Sequence, residues 1–305
     1  MPRKAVPSPT ILVTGSNGQV GFELRRSLAP LGRVIALDRS GCDLSDPASI
    51  RRAVREARPD VIVNAAAYTA VDRAESEAEA AFAINGTAPG VLAEETKALG
   101  GLLVHYSTDY VFDGCKDGAY VESDAINPQS VYGRSKAAGE TAIAAVGANA
   151  LVLRTCWVAG AHGGNFAKTM LRLARERDSL RVVADQYGAP TTAALIADVT
   201  AQILGRHWLV GSREHFPGGI YHLAAAGETS WHGYATELLR YAAAHGAELK
   251  VDPARVEAIA ATAYPVPAPR PANSRLDTTK LQAVFGIHLP DWREGVHHLL
   301  DQILS

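Results

Sequence analysis

The chain has 305 residues, 47% hydrophobic and 20% charged, enough for one full α/β core with a smaller appended unit. A net charge of -2 leaves no global positive field for nucleic acid or an anionic membrane, so an anionic substrate needs local arginines. Cys42, Cys115 and Cys156 form neither a disulfide framework nor a metal-ligand spacing, and no apolar run approaches the ~18 residues that span a bilayer.

Residues 1–9 are basic and proline-rich without an apolar core, which reads as the frayed terminus of a cytoplasmic protein rather than a signal peptide. Short β-branched runs at 10–14, 33–37, 61–64, 102–106 and 150–154 predict strands, and 219–223 is a late candidate that could return to the sheet. Helix-period stretches at 19–31, 47–57, 78–99, 135–146 and 193–204 fall between or after them. This alternation predicts a Rossmann-type, doubly wound parallel sheet buried on both faces. From about Trp157 the pattern loosens, and residues 264–271 (YPVPAPRP) exclude regular helix or central strand. The expected division is a dinucleotide-binding domain from 1–156 plus 193–225, and a discontinuous α+β substrate domain from 157–192 plus 226–305.

The first strand runs into Gly15-Ser16-Asn17-Gly18-Gln19-Val20-Gly21, a GxxGxxG loop opening a helix. Gly15 permits the tight turn, Gly18 lets the backbone approach a pyrophosphate, and Gly21 allows close helix–strand packing. Free N–H groups and the positive helix end then face the diphosphate, so Gly15, Asn17, Gly18, Gln19, Val20 and Gly21 are expected cofactor contacts. Asp38 ends the second strand, where a carboxylate accepts a ribose hydroxyl and favours NADH. Arg39 follows and suits a 2′-phosphate, which favours NADPH. The two signals conflict. Asp43 and Leu44 are candidates for the adenine, with helix capping by Ser45 and Asp46 as the competing role. Ala65, Ala66 and Ala67 follow the third strand beside Asn64; Asn64 and Asn85 are polar supports for cofactor or water, or purely structural.

Tyr132 and Lys136 form a YxxxK pair on one helix face. A free tyrosine titrates near ~10. An ammonium ~4 Å away at an effective dielectric of ~20 contributes on the order of 4 kcal/mol, about three pKa units. Thr108, in Ser107-Thr108-Asp109-Tyr110, supplies a hydroxyl at a strand's carboxyl end, where parallel sheets bind ligands.

Several longer strings carry a resemblance. GSNGQVG at 15–21, NAAAYTAVDRAE at 64–75, STDYVFDG at 107–114, VYGRSKAAGE at 131–140, DQYGAPT at 185–191 and RPANSRLDTTK at 270–280 span nearly the whole chain. In this order the sequence resembles the dTDP-4-dehydrorhamnose reductase family, within the extended short-chain dehydrogenases. The resemblance implies a catalytic triad of Thr108, Tyr132 and Lys136, and a dTDP-sugar substrate near Thr69, Val71, Thr108, Asp109, Tyr110 and Trp157. It also places Arg270, Asn273 and Arg275 in a substrate loop, where arginine suits a diphosphate. The implied reaction is reduction of a C4 keto group by NADPH, with NADH as the other cofactor reading, and a homodimer is compatible with it. Some relatives hold magnesium at a dimer interface; Glu23 matches one position, but Thr192-Ala193-Ala194 offers no acid, so no metal is expected. The competing readings are a sugar-nucleotide epimerase or dehydratase, and a regulatory subunit like that of methionine adenosyltransferase.

Overall fold

The computed structural model describes residues 8–305. Most of the basic leader read above, residues 1–7, lies outside the described residues. In chain order the principal elements begin with β1 (Thr10–Thr14), α1 (Gln19–Leu28), β2 (Arg33–Leu37), α2 (Pro47–Ala57) and β3 (Val61–Asn64). They continue with α3 (Ala88–Leu99), β4 (Leu102–Thr108), α4 (Val131–Val146), β5 (Ala150–Thr155) and α5 (Phe166–Glu176). The last are α6 (Ala193–Ile203), β6 (Gly219–His222), α7 (Trp231–Ala244) and α8 (Trp292–Leu304).

The six strands form one parallel sheet in the order β2-β1-β3-β4-β5-β6. The late strand does return to the sheet, as the edge beside β5. Successive strand residues point to opposite faces, and both faces are apolar. Leu12, Ile62, Leu103 and Val152 pack on one side with Ile50 and Val54 of α2 and Leu92 of α3. Ile11, Val13, Val63, Val104 and Leu153 pack on the other with Leu24 and Leu28 of α1 and Ile196 and Ile203 of α6. The strand order reverses between β1 and β3, and the crevice beyond their carboxyl ends is where such sheets bind ligands.

A separate core is built by α5, α7 and α8 around Leu171, Tyr234, Leu238, Trp292 and Leu300. Short strand pairs serve this region: Val158–Ala159 with Thr191–Thr192, Tyr187–Gly188 with Thr229–Ser230, and Arg181–Val183 with Glu257–Ile259.

Three local differences from the sequence expectation bear on the site. β4 runs two residues further than expected, so Thr108 is its last residue. α4 begins at Val131 rather than at 135, because Ser130 caps it by accepting from the Gly133 N–H at 3.0 Å. Tyr132 therefore sits in the first helical turn. The expected helix over 78–99 is interrupted by a π-turn at Ala83–Thr87, which buries Asn85. The Asn85 amide spans back to the Tyr68 backbone, accepting from its N–H at 2.9 Å and donating to its carbonyl at 3.0 Å.

Candidate active site

A cleft of about 870 Å³ opens at the carboxyl ends of β1, β3, β4 and β5. Its floor is the glycine loop. Gly15 has φ +68, and a Cβ there would stand 2.7 Å from the Ala66 backbone, so only glycine lets the loop nest against β3. A Cβ on Gly21 would meet the Gly15 carbonyl at 2.1 Å, which makes that glycine a packing residue behind the loop. The first residue before α1 is Gly18, and no side chain caps this helix. Its first N–H groups and positive dipole end thus remain available to an anion. This uncapped glycine turn over a large cleft fits a dinucleotide diphosphate.

Gly15, Asn17, Gly18, Gln19, Val20, Arg39, Asp43, Leu44, Ala65, Ala66 and Ala67 all line the cleft, as do Thr69, Val71, Thr108, Asp109, Tyr110, Tyr132, Lys136 and Trp157. Asp38 stands just outside. Its Oδ1 accepts from the Ser40 N–H at 2.9 Å and the Ser40 hydroxyl at 2.6 Å, while Oδ2 accepts from Asn17 Nδ2 at 3.1 Å. These bonds, led by Ser40, hold its carboxyl below the usual carboxylate range. Asp43 likewise closes its own turn on Ser45, and Arg39 pairs with it at 3.5 Å.

The substrate-loop residues sit elsewhere. Arg270 leaves the cleft wall to pair with Asp72 at 2.8 Å, and the Ala268 N–H donates to the same carboxylate at 3.1 Å. Asn273 is buried and donates to the carbonyls of Lys116 and Gly118 at 2.8 and 2.7 Å, which ties its loop to the segment after β4. Arg275 donates to Asn273 Oδ1 at 2.9 Å and pairs with Glu228 at 3.2 Å. Each arginine finds a carboxylate of the chain itself, and none of the three is among the residues that line the cleft.

The wall of the cleft joins β4 to α4. A Cβ on Gly133 would lie 2.2 Å from the Tyr110 carbonyl, and this close approach docks the first turn of α4 on the segment after Thr108. Tyr132 and Tyr110 meet edge to face at 5.4 Å. Burial pushes the Tyr132 phenol up to about 12, opposed by a hydrogen bond with Thr108. Burial lowers Lys136 to about 8, opposed by the charge of Glu140. The expected lysine-driven depression of the tyrosine is therefore not what this geometry gives. Lys136 Nζ instead donates to the Tyr106 carbonyl at 2.7 Å and lies 3.3 Å from His105 Nε2. Desolvation is the leading influence on both groups.

Thr108 has one hydroxyl proton, and Oγ1 donates it to Asp109 Oδ1 at 2.9 Å while accepting from the Tyr110 N–H at 3.2 Å. Burial raises the Asp109 carboxyl to about 6, against hydrogen bonds from Ser274 and Thr108. The folded protein thus holds this proton more tightly than the unfolded chain. The resulting stability is full below the unfolded value of 3.8 and is lost as pH rises through about 6. Asp109→Asn keeps a neutral isostere, so its stability relative to the parent should improve from about pH 4.5 to about pH 7.5, as read by thermal melts at both. An unchanged difference between the two pH values would contradict the burial argument.

Sequence reasoning missed other lining residues, among them Tyr68, Tyr106, Ser107, Thr155 and Gly163. Thr155 is the register partner of Thr108 across β4 and β5, so the strand alignment alone could have found it. The hydroxyl oxygens of Ser107 and Thr155 are buried without a partner among the described residues. Trp157 is one of two non-glycine residues described with positive φ, at 47, and stacks on Trp231 at 3.7 Å. Strain of this kind gathers at functional sites.

Residues 9–305 match the family described as RmlD substrate binding domain. A dTDP-4-dehydrorhamnose reductase of Burkholderia thailandensis is 52% identical, covering 97% of this chain and 99% of its own. The chain belongs to the dTDP-4-dehydrorhamnose reductase family. A relative of that name from Escherichia coli is 47% identical over 97% of this chain and 98% of its own. The solved dTDP-4-dehydrorhamnose reductase of Bacillus anthracis, in complex with NADP, matches with a TM-score of 0.87 at 31% identity, covering 97% of this chain and 99% of that one. The dTDP-4-dehydrorhamnose reductase family is one of oxidoreductases on the Rossmann-type fold, and the six-stranded parallel sheet here is that fold. Among the described residues no helix is long and apolar enough to cross a membrane.

Proposed function

We propose that this protein reduces the C4 keto group of dTDP-4-dehydro-L-rhamnose to dTDP-L-rhamnose, with NADPH as hydride donor. One observation carries the reading: Thr108, Tyr132 and Lys136 line the same cleft as the uncapped glycine loop, in a chain of this family. The bound nicotinamide supplies the hydride to C4. Tyr132, whose phenol stays protonated at neutral pH, gives its proton to the developing alkoxide. Thr108 turns its hydroxyl from Asp109 to the same oxygen, stabilising the charge as it forms. Lys136 holds the nicotinamide ribose and presents positive charge to the phenol as it loses its proton. Trp157, Thr69 and Val71 bound the sugar, and the partnerless Ser107 and Thr155 hydroxyls suit a polyhydroxylated ligand. Arg270, Asn273 and Arg275 belong to the substrate loop in this reading, with Arg270 exchanging Asp72 for the diphosphate.

The same reading assigns residues 1–156 plus 193–225 to cofactor binding and 157–192 plus 226–305 to substrate binding, in keeping with the separate α5–α7–α8 core. A homodimer in the cytoplasm completes it. Rapid oxidation of NADPH on addition of dTDP-4-dehydro-L-rhamnose tests the proposal, and folded protein without activity would refute it.

The cofactor preference rests on Asp38 and Arg39. Asp38 is committed to Ser40 and Asn17, whereas Arg39 has only the exposed Asp43 pair to give up. Arg39→Ala should raise KM for NADPH about tenfold and leave KM for NADH nearly unchanged, because only the former offers a 2′-phosphate. Equal effects on both would contradict this assignment.

A further inference from the structure

Beneath the cleft a buried chain of polar groups that the proposed reaction does not use leads up to Lys136. Thr14, at the end of β1, bonds to Asn64 Oδ1 at 2.6 Å. Asn64, at the end of β3, places Nδ2 3.0 Å from His105 Nδ1. His105, in β4, places Nε2 3.3 Å from Lys136 Nζ. All four residues are essentially removed from solvent, with His105 1% and Lys136 2% exposed. A polar chain buried this deeply is costly unless every member is satisfied.

Donor counting ties the sense of the chain to the charge on Lys136. An ammonium has no lone pair, so while Lys136 is charged Nε2 must accept and Nδ1 must carry the ring proton. Asn64 then presents its oxygen to Nδ1 and its nitrogen to the Thr14 hydroxyl, which serves equally as acceptor or donor. A neutral Lys136 has a lone pair as well as two N–H groups, so the reversed chain becomes available. Thr14 donates to Asn64 Oδ1, Asn64 Nδ2 to Nδ1, and Nε2–H to the amine. A half-turn of one amide separates the two arrangements.

We propose that His105 is a positioning residue that sets the charge state and direction of Lys136, with Asn64 and Thr14 satisfying the far ring nitrogen in either tautomer. The inference rests on the reading of Lys136 as part of the catalytic set. With Nζ bonded to Tyr106 O and His105 Nε2, one ammonium proton is left for the cleft that Lys136 lines. The groups facing this centre are Thr14 on β1, Asn64 on β3, Tyr106 on β4, and Tyr132 and Glu140 on α4, with Asp109 beyond Thr108. Burial, reinforced by the Lys136 charge, keeps the imidazole neutral, so it acts as a hydrogen-bond partner and not as a second cation.

Loss of the imidazole removes an acceptor from a buried ammonium, which favours the neutral amine. In cofactor-free protein carrying 13Cε-lysine, the Lys136 titration midpoint should fall from about 8 by about one unit in His105→Leu. His105→Asn, whose amide reaches no further than Nδ1, should fall similarly. His105→Gln, whose terminal amide reaches the Nε2 position, should keep the parent midpoint. The alkaline limb of the kcat profile should follow, moving to lower pH in the Leu and Asn variants and recovering in Gln. A merely structural role would lower kcat evenly across pH. Parent-like midpoints in both His105→Leu and His105→Asn would overturn the proposal; if only one of them folds, its midpoint decides. Lys136→Met separates the two claims. If that variant is inactive while the His105 midpoints do not move, the inference fails alone. If it remains fully active, the reading of Lys136 fails first.

Discussion

Tyr132→Phe is expected to lower kcat by about 10³-fold, roughly 4 kcal/mol of transition-state stabilisation, with little change in KM for NADPH. Burial beside Thr108 pushes the phenol up to about 12, so it carries its proton throughout the working range. Its charge changes only as the alkoxide forms, so the loss belongs to the transition state rather than to binding. The ring stays, so its edge contact with Tyr110 and the packing of the first α4 turn stay as well. Initial rates at saturating substrate, together with cofactor titrations, check both parts. Near-normal turnover would remove Tyr132 from the chemistry.

Glu140→Ala should be strongly destabilising. Glu140 and Arg154 form a two-pronged pair at 2.9 and 2.6 Å, with side chains only 4% and 3% exposed. Removing the carboxylate leaves a guanidinium buried over the Phe112 ring with nowhere to place its charge. Breaking such a pair costs about 3–5 kcal/mol, which for a chain of this size lowers Tm by about 5–8 °C. The same carboxylate raises Lys136, so the variant's alkaline limb of kcat should also move to lower pH. A thermal melt within about 2 °C of the parent would show that Arg154 finds another partner.

The two effects meet in one helix. α4 carries Tyr132 in its first turn, Lys136 in the second and Glu140 in the third, at a spacing of four, so one helical stripe runs from the cleft into the sheet. The upper end does the chemistry in the proposed reaction. The lower end holds the helix to β5 through Arg154.

Much of this was legible in the sequence because parallel strands buried on both faces read as continuous apolar runs. All six strands lie where those runs are, and GxxGxxG falls at the first strand–helix junction. The finer errors have physical causes. Ser130 starts α4 four residues before the expected boundary by capping it, in agreement with the YxxxK spacing, which needs Tyr132 and Lys136 on the same helix. The π-turn at Ala83–Thr87 has no periodic signature, since it adds one residue to an otherwise regular helix. The ion pairs that Arg270 and Arg275 make could not be read from the loop motif that placed them in the substrate loop. Their partners, Asp72 and Glu228, lie 198 and 47 residues away in the chain and become neighbours only in the fold. His105 stands within the apolar run of β4, and no motif in the sequence marks it. Its role emerges only where β1, β3, β4 and α4 bring Thr14, Asn64 and Lys136 around it.

The proposed reaction is tested most directly by following the hydride itself. With NADPH deuterated at the nicotinamide C4 position that donates, turnover of dTDP-4-dehydro-L-rhamnose should give dTDP-L-rhamnose carrying deuterium at sugar C4, one per NADPH consumed, as read by NMR of the isolated product. A product without deuterium at that carbon, or conversion of the sugar with no net NADPH consumption, would contradict the reductase account and point to an epimerase or dehydratase that recycles its cofactor.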